Sequence, residues 1–269
     1  MTPQAPYFRT IRLCQATDNI VVAELARPER LNAMTMEMFA EIEQLAWAVN
    51  DDGTRVLVLT GSGNAFCAGY DLDHADDLPS LSALGMLQRQ EVAARGLAAL
   101  RGIRIPVIAA VNGAAAGGGL SLALAADIRL GSPAARFNCA FVRIGLSAGD
   151  LGASWLLTRI IGPGLAAEVA FTGRFIEADE AERVGLLNRV VAPDQLVDEA
   201  VAMAELICSN SPGGIQLSKR ALQANMEIGS FAAALELENR GQALLTRGDD
   251  LPEALQAFRE RRSPRFSGA

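Results

Sequence analysis

Three consecutive glycines, Gly117-Gly118-Gly119, stand between an apolar run at 107–111 and a second apolar run at 120–126. The order predicts a buried strand, a turn through small residues, and a helix that starts on glycine. Without a Cβ, such a start lets another backbone or a ligand come close. The first N–H groups of a helix have no partner within it, and its dipole favours negative charge there. This is a construction for holding an oxyanion on main-chain donors; the competing reading is tight helix packing. The residues that follow exclude the phosphate versions. A P-loop needs Lys and then Ser/Thr, where this chain has Leu120 and Ser121, and a dinucleotide fingerprint needs a glycine where Leu122 stands. Between 107 and 126 only Asn112 and Ser121 are polar, but the Ala/Gly content, Pro106 and the turn favour a buried strand-turn-helix over a membrane span.

The rest of the chain sets bounds. Its 269 residues, half of them hydrophobic, suffice for a large core with an appendage. The net charge of −7, with 24 basic and 31 acidic residues and no Lys/Arg run, is no nucleic-acid footprint. An anionic ligand therefore needs a local group of arginines against the global sign. Cys14, Cys67, Cys139 and Cys208 are widely spaced, and with a single histidine they compose no zinc set. They are expected to be reduced thiols of a cytoplasmic protein. The N-terminus carries prolines and no apolar h-region, so it is not read as a secretory signal.

Periodicity predicts paired strands at 11–13 and 20–25, then a turn at 27–30. A helix capped by Thr35 should run to about 49 with Met38, Ile42, Leu45 and Val49 on one face. The all-apolar strand at 56–59 should be covered on both sides. A glycine-rich loop at 61–69, a helix at 80–100 and strands at 106–111, 128–130 and 136–138 follow. Helices are expected at 153–161 and 165–171, and from 194 to about 262 with breaks at 211–214 and 248–250. The last residues, 263–269, read as a polar tail. The expectation is an α/β core over 1–193 and a helical region over 194–269.

Gly145-Leu146-Ser147-Ala148-Gly149 fits G-x-S-x-G, but the only histidine, His74, precedes it, against the chain order of a hydrolase triad. His74 itself reads as a solvated loop residue. The loop Ala65-Phe-Cys-Ala-Gly69-Tyr70-Asp71-Leu72 is a second glycine-lined site, able to aim an N–H group at the same oxygen as the glycine helix.

Three motifs together carry a resemblance: Arg27-Pro-Glu-Arg-Leu-Asn-Ala33, Ala65-Phe-Cys-Ala-Gly-Tyr-Asp-Leu72, and Ala109-Ala-Val-Asn-Gly-Ala-Ala-Ala-Gly-Gly-Gly119 with Ala126-Asp127. In order and spacing the chain resembles the crotonase (enoyl-CoA hydratase/isomerase) superfamily over nearly its whole length. The resemblance implies a spiral of ββα units with a C-terminal helical trimerisation region, and thus a homotrimer or a dimer of trimers. It implies an acyl-CoA thioester as ligand, with CoA as part of the substrate and no separate cofactor, nucleic acid or membrane partner. It places the two oxyanion donors at Tyr70 and Gly118. It offers Arg30 as a phosphate partner, Ala68 and Leu72 as adenine-lining residues, and Phe258 and Arg261 as C-terminal residues lent to a CoA site.

The chain also departs from the family pattern. The two glutamates of the hydratases fall at Ser121 and Phe141, so two-carboxylate hydration is not supported. Asp150 resembles the aspartate used as acid–base by dienoyl-CoA isomerases and as nucleophile by chlorobenzoyl-CoA dehalogenases. The isomerases carry further acids at the two lost positions, and the dehalogenase histidine has no counterpart in the 80–100 helix. Asp150 could instead cap a helix beginning near Leu151. Phe141, Trp155 and Ser121 are expected around the acyl group. The reading is an acyl-CoA enzyme, with double-bond isomerisation by Asp150 foremost. The alternatives are a CoA-thioester hydrolase using Asp150 and a non-catalytic acyl-CoA-binding protein on the same scaffold.

Overall fold

The computed structural model describes residues 7–268. The first six residues, on which much of the N-terminal reading rests, and the last residue of the polar tail lie outside them. The chain opens with a hairpin, β1 (Ile11–Thr17) and β2 (Ile20–Leu25), followed by α1 (Met36–Asp51), whose first turn is capped by the Thr35 side chain. Three strand pairs then alternate with helices. These are β3 (Val56–Gly61) and β4 (Ala65–Cys67) before α2 (Ala83–Gly102), β5 (Val107–Val111) and β6 (Ala114–Ala116) before α3 (Gly118–Ala125), and β7 (Ile128–Gly131) and β8 (Arg136–Asn138) before α4 (Ala153–Ile161). After α5 (Pro163–Thr172) come β9 (Ile176–Glu177), α6 (Ala178–Arg183) and β10 (Arg189–Val190). The chain ends in α7 (Leu196–Cys208), α8 (Pro212–Asn225), α9 (Phe231–Leu245) and α10 (Asp250–Glu260).

The first strand of each pair enters one sheet and the second strand another. The six-stranded sheet has the order β1-β2-β3-β5-β7-β10 and the four-stranded sheet β4-β6-β8-β9. Both are parallel except at β1–β2 and β8–β9. This is the expected ββα spiral. Parallel strands covered on both faces read as continuous apolar runs, and the two faces serve different cores. Leu57, Leu59, Val107 and Ala109 face the larger core with α1, α2 and α3. Val56, Val58, Ile108 and Ala110 face the other side, where α7 lays down Leu196, Ala200 and Ala204 at helical spacing. So α7 is packed onto the sheet. By contrast α9 buries none of its residues. One turn of α8 is anchored through Lys219, whose buried ammonium sits 2.8 Å from an Asp127 carboxylate oxygen and 2.8 Å from the Ile105 carbonyl.

Several elements differ from expectation. Strands β4 and β6 fall in stretches read as loop and turn, because three-residue strands of small side chains show no alternation. The second helix begins at Ala83 with Ser82 as its cap, after a 3-10 turn at Leu78–Ser80. A break at 226–230, between α8 and α9, was not anticipated. Among the described residues no helix is long and apolar enough to cross a membrane.

At Gly119 an added Cβ would lie 2.0 Å from the Cys67 carbonyl oxygen. That atom belongs to a buried strand and cannot move aside. Gly119→Ala should therefore lower stability by about 3 kcal/mol, read as a lower denaturation midpoint in urea; an unchanged midpoint would contradict this packing.

Candidate active site

The turn at 27–34 brings the pieces together. Asn32, fully buried, donates from its amide to the Ser62 and Ala65 carbonyls (2.9 and 2.8 Å) and accepts from Arg27 N–H (3.0 Å). Met34 forms a parallel bridge with Tyr70: Met34 N–H donates to the Gly69 carbonyl (2.6 Å) and Asp71 N–H to the Met34 carbonyl (3.0 Å). In such a bridge the intervening residue's own N–H points away from the partner. The Tyr70 N–H is thereby turned from Met34, and it finds no acceptor among the described residues.

The start of α3 lies against this segment. Gly69 has φ of +98°, and a Cβ there would stand 3.3 Å from the Gly118 nitrogen. A Cβ on Gly118 would stand 3.8 Å from the Gly69 Cα and 2.7 Å from Met34 Cε. The Gly118 N–H also has no acceptor among the described residues. Two unpaired N–H groups from two chain segments thus adjoin, in backbone geometry that glycine permits.

They open on a cavity of about 440 Å³ lined by Ala68, Tyr70, Leu72, Gly118, Phe141 and Asp150 among others. The structure brings these six predicted residues to one place. Most of the remaining wall is apolar, including Met36, Phe39, Leu78, Met86, Ile144 and Leu151. Two expected liners are elsewhere. Ser121 is buried beneath the wall, its hydroxyl 3.4 Å from the Asp150 carbonyl. Trp155 lies against arginines, with the Arg159 guanidinium 3.8 Å from its ring centroid and that of Arg101 5.6 Å away.

Asp150 is not a helix cap. α4 begins at Ala153 with Gly152 as N-cap and no side-chain cap bond. Leu151 and Gly152 both have positive φ (+48° and +80°), a sharp bend that sends the chain into α4 and leaves the half-buried Asp150 on the cavity wall. Its carboxylate accepts a hydrogen bond from the Gln90 side-chain amide of α2. Burial pushes the carboxyl above the usual carboxylate range, against the opposing hydrogen bonds from Gln90 and the Leu151 N–H. Sequence reading missed Gln90. The available signal was a polar residue on the stripe Met86, Gln90, Ala93, Leu97, whose last two members are buried.

Arg30 lies outside the cavity wall. Its guanidinium is paired with Asp73 and lies 3.1 Å from Asp71, whose second oxygen is 2.8 Å from Arg27. His74 is exposed, as expected of a solvated loop residue, with its ring 3.5 Å from Asp71. Phe258 is 83% exposed on α10 and Arg261 follows that helix with φ of +54°. Within a single chain neither reaches the cavity.

A ββα spiral whose third helix start and second-sheet strand end face one apolar cavity is the crotonase type of acyl-CoA enzyme. The Enoyl-CoA hydratase/isomerase family model matches residues 15–269, and the chain belongs to that family. It is 42% identical to a probable enoyl-CoA hydratase of Mycobacterium bovis over 251 residues, covering 90% of this chain and 87% of that one. It is 37% identical to the 1,2-epoxyphenylacetyl-CoA isomerase of Escherichia coli K12 over 261 residues, covering 95% and 98%. A crystal structure of enoyl-CoA hydratase from Bacillus anthracis superposes with a TM-score of 0.91 at 32% identity, covering 97% of this chain and all of that one.

Asp71 joins the two motif loops. Burial pushes its carboxyl up, but hydrogen bonds from Arg27 and Arg30 outweigh this and hold it below the usual range. Removing one partner of a buried ion pair costs about 3 kcal/mol, so Asp71→Asn should destabilise by that amount near neutral pH. A depressed folded-state pKa gives stability that is present above the ordinary aspartate value of about 4 and lost as pH falls through the folded-state value. The gap between wild type and variant in urea denaturation should therefore narrow in acid; a gap that widens there would contradict the assignment.

Proposed function

We propose that this acyl-CoA-processing enzyme moves a double bond along an enoyl thioester, with Asp150 as its single proton carrier. The observation that carries the reading is the Asp150 carboxyl on the cavity wall, raised by burial, with no acid at Ser121 or Phe141. The Asp150 carboxylate takes a proton from C2 of a 3-enoyl-CoA. The electron pair of the broken C–H bond delocalises onto the thioester oxygen, where the Tyr70 and Gly118 N–H groups form the oxyanion hole. The dienolate collapses as Asp150 returns the proton to C4, leaving the double bond between C2 and C3. One donor of this kind contributes about 3 kcal/mol to lowering the barrier. The similarity to an isomerase named for a CoA ester supports this reading.

In the same reading Arg30 meets a CoA phosphate after leaving Asp73, and Ala68 and Leu72 line the adenine. Phe258 and Arg261 would be supplied by a neighbouring protomer. The exposed Phe231 and Leu244 on α9, with Phe258 on α10, support association of copies into a trimer or a dimer of trimers. Sedimentation giving a monomer would count against lent Phe258 and Arg261.

A panel of enoyl-, dienoyl- and hydroxyacyl-CoA esters, followed by mass spectrometry in D₂O, tests the reaction. Double-bond migration is expected, with deuterium taken up wherever the Asp150 carboxyl exchanges with solvent before it delivers its proton to C4. Asp150→Asn should reduce turnover about 10³-fold while CoA-ester binding stays nearly intact; near-wild-type turnover sinks the assignment. Because the group acts first as a base and its pKa is raised, kcat/KM should fall as pH drops through a midpoint above about 4.

A further inference from the structure

The Asp150 carboxylate is held by a neutral amide and by no cation. Gln90 reaches it from α2, sixty residues away in sequence. No ion pair to Asp150 occurs among the described residues. Of the other titratable groups on the cavity wall, Arg89 is occupied by Asp77 at 2.8 Å and the Tyr70 phenol donates to the His74 carbonyl at 3.2 Å. The difference has a chemical meaning. A guanidinium at this place would lock the carboxyl in its ionised form, whereas a neutral donor steadies the carboxylate and still allows it to accept and release a proton. Gln90 also occupies a position that packing alone would fill with an apolar residue, on the stripe between Met86 and the buried Ala93 and Leu97.

We propose that Gln90 is a positioning residue for the reaction, its side-chain amide fixing the orientation of the Asp150 carboxyl on the cavity wall. This rests on the reading of Asp150 as proton carrier. Burial of the carboxyl raises its pKa, and the Gln90 bond opposes that rise. Without the amide the carboxyl would rotate more freely and ionise only at higher pH.

The test uses the full-length protein with ¹³C-labelled aspartate γ-carbons, titrated by NMR, the Asp150 signal being assigned by its loss in Asp150→Asn. Gln90→Met keeps the length and the apolar stripe but removes the amide. Its Asp150 midpoint should move to higher pH. With trans-3-hexenoyl-CoA as probe, kcat should fall about tenfold and KM change less than about twofold, with the acid limb of kcat/KM moving by the same amount as the NMR midpoint. Gln90→Asn, whose amide is one methylene short, should give the same direction. A midpoint that stays in place in both variants overturns the proposal, and so does a moved midpoint with unchanged kcat. Wild-type turnover in Asp150→Asn would instead remove the reading of Asp150, an outcome that the midpoint measurement separates from a failure at Gln90.

Discussion

The close approach of the start of α3 to the end of β4 is the constraint on which the rest depends. Gly119 sits where a methyl would press into the Cys67 carbonyl, and Gly69 sits where one would press on the Ala116 carbonyl, 2.7 Å away. With both positions open, a helix start and a strand end come into contact across a spiral turn. The Met34–Tyr70 bridge then fixes which way the Tyr70 N–H points, and the Asp71 ion pairs with Arg27 and Arg30 hold the turn that carries Met34. Everything on the cavity wall is placed relative to that contact.

The energetic character of the wall follows from what surrounds it. Most of the cavity is aliphatic or aromatic, so any hydrogen bond or charge inside it acts in a medium that screens poorly. A carboxyl there meets a desolvation cost, visible in the raised pKa of Asp150. Arg89, on the same wall, is spent on Asp77, while Arg27 and Arg30 lie outside the wall and are held by Asp71.

Much of this was legible from residue order. The alternation of apolar strands with helical stretches announces an α/β core, the family resemblance carried by the glycine triplet and the Gly69 loop implies the spiral, and strand 56–59 has no polar face because it is covered on both sides. What escaped was encoded in three dimensions. β4 and β6 are too short and too rich in small residues to show alternation. Ser121 and Phe141 both adjoin the site by sequence position, yet only Phe141 lines the cavity, because the direction of a side chain on α3 depends on how that helix is rolled against β4. Gln90 escaped because its partner lies sixty positions on, and a single polar residue on a helix face does not name what it binds. The α4 cap illustrates the converse: Asp150 has the chemistry of an N-cap, but the bend at Leu151 and Gly152 moves it out of capping range.

The two kinds of group at this cavity differ in how inheritance can alter them. A main-chain N–H is carried by every residue except proline, so most codon changes at 70 and 118 keep those N–H groups and can only displace the backbone. Carboxyl and amide side chains, in contrast, come and go one codon at a time, and here they sit on separate segments, α2 and the loop before α4. The fold therefore keeps its main-chain N–H groups in place while leaving the polar side chains of the cavity open to replacement.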